Sequence, residues 1–187
     1  MATFKEKLKS KIPSWSELLP VFSILIFLVF TWTLYRMFWY LPSWLGDLPV
    51  WDVLIMAAYV LSFALFESLV MLGLMVLIAL ILPSRIFRQD FVAQASALAL
   101  LLGAGAYLLQ RKMGILYELS LRQLAFYPLV VLAAILVFIL VFSYLFKRFE
   151  GLRRLVHKFA EWMTVFAYIY VPLGLLGLVV VILRLIF

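Results

Sequence analysis

The chain has 187 residues, of which 68% are hydrophobic, 17% aromatic and 13% charged, with 16 Lys or Arg against 9 Asp or Glu and a net charge of +7. Soluble domains carry roughly 45–50% apolar and about 25% charged residues, so this composition lacks the polar surface that a water-soluble globule needs. Intrinsic disorder is excluded on the same ground, because disordered chains are poor in the aliphatic and aromatic residues that dominate here. An all-α, polytopic membrane protein remains, consistent with a mean hydropathy of +1.18.

Crossing a hydrocarbon core of roughly 30 Å takes about 20 mostly apolar residues. Between Glu17 and Arg36 lie 18 uncharged residues, and apolar character continues to Leu41, which predicts a first span over 18–41. After Asp52 come 14 uncharged residues, then Glu67, then 17 more to Ser84. Thirty residues of helix reach about 45 Å, too short for two crossings and a turn, so 53–82 is read as one span with a single acid near its middle. Charge-free windows of 20, 24 and 22 residues then predict spans over 91–110, 124–146 and 163–184. Pro20, Pro42, Pro49, Pro83 and Pro128 fall at the proposed limits, where proline is tolerated. Pro172 lies inside the fifth span with Gly174 and Gly177 close behind, a pattern read as a helix kink.

Loop charges predict the orientation, because Lys and Arg near span ends are retained in the cytoplasm. One side collects Lys5, Lys7, Lys9, Lys11, Arg85, Arg88, Lys147, Arg148, Arg153, Arg154 and Lys158, or 11 residues. The other has Arg111, Lys112, Arg122 and Arg184, or 4. The N-terminus is therefore expected in the cytoplasm and the C-terminus outside it, in the plasma membrane of a prokaryote. Trp39, Tyr40, Trp44 and Trp51 crowd the first outer loop as an interfacial aromatic belt would. The apolar stretch after the N-terminal lysines is too long, and too bulky at its end, for a cleavable signal, so it is expected to stay as an anchor. Basic residues spread over span ends answer to topology and anionic lipid headgroups, and no separate basic domain exists for nucleic acid.

Two amphipathic stretches stand on the proposed cytoplasmic side. Over 149–163 the apolar Phe149, Leu152, Leu155, Val156, Phe159, Trp162 and Met163 share one helical face, opposite Glu150, Arg153, Arg154, His157, Lys158 and Glu161. An in-plane interfacial helix over 147–162 is expected, with Arg153, Arg154 and Lys158 toward the headgroups. A weaker version places Phe4, Leu8 and Ile12 between lysines, ahead of Ser14 and Glu17, which have the spacing of a capping box. The connection 111–127 alternates Tyr117, Leu119 and Leu121 with Glu118, Ser120 and Arg122, as a segment lying on the membrane would.

Few residues offer chemistry. Glu67 is the single acid within a span, and a charge near the bilayer centre costs at least about 2.5–3.5 kcal/mol, so the carboxyl is expected to be protonated, paired or facing a wet cavity. Its alternative is packing: a neutral carboxyl hydrogen-bonded to a neighbouring helix. Arg36 is the obvious partner by charge, but it lies about 7.5 Å from the outer end of its span while Glu67 is nearer the midplane, so outward snorkelling is favoured over an ion pair. Ala95, Ala99, Gly103 and Ala106 make a small-residue stripe suited to close helix packing. With one histidine and no cysteine, bis-His haem and zinc sites lack ligands, and no cofactor or metal is expected. Phosphate-loop, nucleophile-elbow and zinc-protease motifs are absent too.

The favoured expectation is a non-catalytic membrane subunit or scaffold for a membrane-protein partner, or a homo-oligomer. Two alternatives stand beside it: a small solute or ion carrier using Glu67, and a membrane anchor for an extracytoplasmic enzyme.

Overall fold

A computed structural model describes residues 12–84, 86–88, 90–111 and 121–186. The lysines at 5, 7, 9 and 11, Phe4, Leu8, Arg85, Lys112 and the alternating stretch 117–120 lie outside the described residues. Those residues form five helices long and apolar enough to cross a membrane. They are α1 (Trp15–Asp47), α2 (Val50–Ile81), α3 (Phe91–Arg111), α4 (Leu121–Arg148) and α5 (Glu150–Ile186). The uncharged windows account for the count. In lipid, every backbone group must be paired within its own segment, and an uninterrupted apolar run has no cheaper conformation than a helix.

Prolines mark helix limits less well than expected. Pro20 and Pro42 lie inside α1, and Pro128 lies inside α4. A proline strands one carbonyl, whereas ending the helix at the same depth strands four, so in an apolar medium the helix continues through it. Consequently the anticipated 42–52 loop shrinks to Leu48 and Pro49. Leu48 N–H closes α1 on the Trp44 carbonyl at 2.9 Å, and the Pro49 carbonyl receives Asp52 N–H at 2.9 Å as α2 begins. The aromatic residues of that loop are therefore helical, with Trp39 70% and Trp51 73% exposed.

At the start of α1, the Glu17 carboxylate accepts hydrogen bonds from Ser14 N–H and Ser14 Oγ–H, both at 2.7 Å. That arrangement satisfies a free donor and sets negative charge at the helix N-terminus. Residues 150–163 are the opening turns of α5, continuous with the last span and unbroken at Pro172. Neither proline nor glycine falls between Gly151 and Pro172.

Two compact units make up the chain: Met1–Pro13 with Ile78–Lys158, and Ser14–Leu77 with Phe159–Phe187. In the second, Ile26 and Phe30 of α1, Ala64 and Leu65 of α2 and Ala167 of α5 form a buried cluster. Phe30 stacks on Tyr170 with ring centroids 5.0 Å apart. Gly174 and Gly177 bring α5 onto α2. A Cβ at Gly174 would stand 2.7 Å from Leu65 Cβ, and one at Gly177 would stand 2.6 Å from the Ala58 carbonyl oxygen. Ala160, Ala167 and Gly174 are buried at seven-residue intervals, the repeat that keeps one stripe of a helix against a neighbour. In the first unit, Ala93 and Ala97 of α3 pack on Phe146 of α4, flanked by Leu152 and Val156 of α5. Every residue from Phe91 to Ala99 is buried.

Candidate functional site

Helix α2 has two faces, set by 100° per residue. Ala58, Ala64, Leu65, Ser68, Met75 and Ala79 are buried. Roughly opposite, Tyr59, Phe63, Phe66, Val70, Leu74 and Leu77 are exposed, between 42% and 66%. Ser62 and Ser68 each fold back on the carbonyl four residues earlier, at 2.7 and 2.8 Å, and so add no polarity to either face.

Glu67 falls on the margin between these faces and is half-buried. Among the described residues it makes neither a hydrogen bond nor an ion pair. Arg36 does not reach it. The guanidinium instead lies over Tyr40 on its own helix, with Cζ 5.3 Å from the ring centroid and Nη2 3.3 Å from the hydroxyl. Tyr40 is one turn nearer the Asp47 end, so the cation is directed away from the middle of α1 and held by the π-face and hydroxyl of an aromatic neighbour. The same helix carries two short aromatic ladders. Trp32, Tyr35 and Trp39 follow at 6.0 and 6.5 Å, and Tyr40 with Trp44 at 6.4 Å.

The other singled-out residues separate by environment. Ala95 and Ala99 are buried, Gly103 is half-buried and Ala106 is exposed, so the stripe on α3 packs only along its first half. Pro172 is exposed while Gly174 and Gly177 are buried, which makes the two glycines points of close approach to α2. The helix-kink reading of this trio left that role out. A signal for it was present in the seven-residue recurrence of Ala160, Ala167 and Gly174.

Arg153 donates from Nη1 to Asp90 Oδ1 at 3.3 Å, joining the first turn of α5 to the residue that precedes α3. Arg154 pairs with Glu150 at 2.8 Å, and Lys158 is exposed. Asp90 escaped the sequence reading. Its position immediately before an apolar run, where a carboxylate favours a helix start, was the available clue.

One buried hydroxyl is anomalous. Ser23, Ser62, Ser68 and Thr164 all donate to a carbonyl one turn back, but Ser96 Oγ on α3 is fully buried with no partner. Among the described residues, no three His, Asp or Glu side chains gather where a metal ion could be held. Glu67 is thus a half-buried carboxyl on the margin of α2, set among apolar side chains. No family model, curated protein or solved structure matches this chain.

Proposed function

We propose that the chain is a non-catalytic, membrane-integral subunit that holds a partner membrane protein or anchors an extracytoplasmic enzyme. One observation carries this reading. Residues 128–134 of α4 are each exposed, around the full circumference of nearly two turns, including Leu129 at 65% and Val130 at 63%. Helices in lipid associate by packing and interhelical hydrogen bonds rather than by a hydrophobic drive, so a stretch exposed on every side among the described residues is free to take a neighbour. In this reading the N-terminus is cytoplasmic, the C-terminus is extracytoplasmic and the membrane is a prokaryotic plasma membrane, as the distribution of basic loop residues suggests. Residues 147–162 then lie at the cytoplasmic interface, with Arg154 and Lys158 toward anionic headgroups and Leu155 and Trp162 in the acyl boundary.

The chain has no cysteine, so single cysteines at Val130, Leu132 and Ala134 report neighbours without background. Cross-linking in native membranes should give one discrete adduct of constant mass, formed from at least one of these positions. A chain that recurs alone, with lipid adducts from all three, removes the subunit reading.

A second reading, a small solute or ion carrier, is favoured by the half-buried Glu67 carboxyl that no described residue engages. It requires Glu67→Gln to abolish pH-driven uptake in proteoliposomes, and equal flux in parent and variant ends it.

A further inference from the structure

Arg36 is a cation at a defined depth. It stands nineteen residues after Glu17 with no charged residue between them. At 1.5 Å per residue that is about 28 Å of helix, against a hydrocarbon core of roughly 30 Å. Glu17 caps the start of α1. When α1 crosses the core, Arg36 therefore arrives at the opposite boundary, where lipid phosphates and glycerol esters begin. From there the helix continues eleven residues to Asp47, about 16 Å more, through the headgroup layer. Arg36 makes no ion pair among the described residues. A guanidinium has five N–H donors. One is engaged, from Nη2 to the Tyr40 hydroxyl at 3.3 Å, while Cζ lies 5.3 Å from the centroid of the same ring.

We infer that Arg36 and Tyr40 bind the phosphodiester of an anionic phospholipid, in the leaflet at the Asp47 end of α1. The planar guanidinium fork matches two oxygens of one phosphate, and its remaining donors have no acceptor within the described chain. Tyr40 holds the cation toward the headgroups by its ring, and its hydroxyl can donate to the phosphate while accepting from Arg36. Beside Arg36, Trp32, Tyr35 and Trp39 are 36%, 58% and 70% exposed. Rings at this depth favour the interface between glycerol and acyl chain. That adjoining apolar surface selects a lipid over a free phosphate ion. Charge selects an anionic lipid: Arg36 has no carboxylate to balance it, and a zwitterionic lipid brings its own ammonium to the same phosphate. The inference uses neither the open stretch of α4 nor the assignment of a leaflet to the cytoplasm, and so it can fail without the proposed subunit role, or the reverse.

The test uses the full chain in vesicles of equal parts phosphatidylcholine and phosphatidylglycerol. A trace of either lipid, bearing a diazirine beside its headgroup, is photolysed and its adducts are mapped by peptide mass spectrometry. The glycerol probe should label residues 32–44 at least about fivefold more than the choline probe, the scale of one basic residue at an anionic surface. Arg36→Gln should abolish that preference. Tyr40→Leu, which keeps the charge and removes its anchor, should lower it at least twofold. Inorganic phosphate in large excess should leave the labelling unchanged. Equal labelling of the parent by the two probes overturns the proposal, as does a preference that survives Arg36→Gln. Displacement by inorganic phosphate assigns the residues to a free ion and overturns it as well. The comparison of probes uses the parent chain, so the proposal remains open to refutation even where a variant does not fold.

Discussion

Gly177 on α5 sits directly over the backbone of α2, where an added Cβ would come within 2.6 Å of the Ala58 carbonyl oxygen. Backbone cannot yield as a side-chain tip can, so the approach of the two helices depends on the missing methyl group. Gly174 repeats the contact one turn earlier against Leu65. Small residues at such points replace the hydrophobic drive that lipid does not provide, since dispersion contacts and close backbone approach then hold the helices together.

Gly177→Ala and Gly174→Ala should each destabilise the bundle by about 1–3 kcal/mol, the range for overpacking a well-filled interface. Gly73→Ala and Gly105→Ala are the controls, because a Cβ at either position meets nothing within 4 Å. Relieved of glycine's helix penalty, these two should be neutral or gain about 0.5–1 kcal/mol. Reversible unfolding in bicelles, followed by tryptophan fluorescence, orders the four variants. Equal losses in all four would remove the packing argument.

Ser96 offers the opposite sign. Its hydroxyl is fully buried and unpartnered, whereas Ser68, equally buried, donates to the Ala64 carbonyl at 2.8 Å. An unsatisfied buried hydroxyl carries a desolvation cost of about 1–3 kcal/mol, so Ser96→Ala should be neutral or stabilising. Ser68→Ala gives up a made bond and should cost up to about 1 kcal/mol. The same unfolding assay reads both, and a Ser96→Ala loss larger than that of Ser68→Ala contradicts the assignment.

The contrast between helix count and helix contacts shows what could be read from the residues. Four charge-free windows and a fifth interrupted only by Glu67 are a one-dimensional signal, and all five appear as helices because lipid leaves the backbone no other partner. Helix limits were harder. Pro42 and Pro128 look like stops by the rules of water-exposed helices, yet helix termination in lipid strands more groups than a proline does. Contacts were hardest of all. Beside Pro172, Gly174 and Gly177 resemble a hinge, and their close approach becomes visible only once Ala58 and Leu65 of α2 are known to face them. Periodicity gives little help here, since almost every position is apolar and the inward and outward faces of α2 share one vocabulary. Glu67 was legible as the single acid in a span. That Arg36 is occupied by Tyr40 was not.

Arg153 and Asp90 join sequence positions 63 residues apart at 3.3 Å, with side chains 39% and 23% exposed. A partly exposed pair is screened by solvent, and the coupling energy from a double-mutant cycle of Arg153→Ala and Asp90→Asn should be about 0.5 kcal/mol, decreasing as salt is raised. The neighbouring Arg154–Glu150 pair is 72% and 66% exposed and local to one helix turn, so its cycle should show no resolvable coupling. The reverse ranking, with Arg154–Glu150 the stronger, would show that the longer connection does not tie α5 to the start of α3.

The topology proposed from loop charge has a direct check in the same cysteine-free background. In that proposal five crossings would place the two ends of the described chain in different compartments, and the excess of Lys and Arg beside α1 and between α4 and α5 would put the N-terminal end in the cytoplasm. Ile12 is 49% exposed and Leu185 is 84% exposed, so a cysteine at either is within reach of reagent wherever it meets water. On intact cells, a membrane-impermeant maleimide should modify Leu185→Cys and leave Ile12→Cys untouched until the membrane is permeabilised. Equal modification of both before permeabilisation, or protection of both, requires an even number of crossings. One of the five helices would then have to lie along the surface, and α3, with 21 residues and the lowest hydropathy of the five, would be the first to reassign.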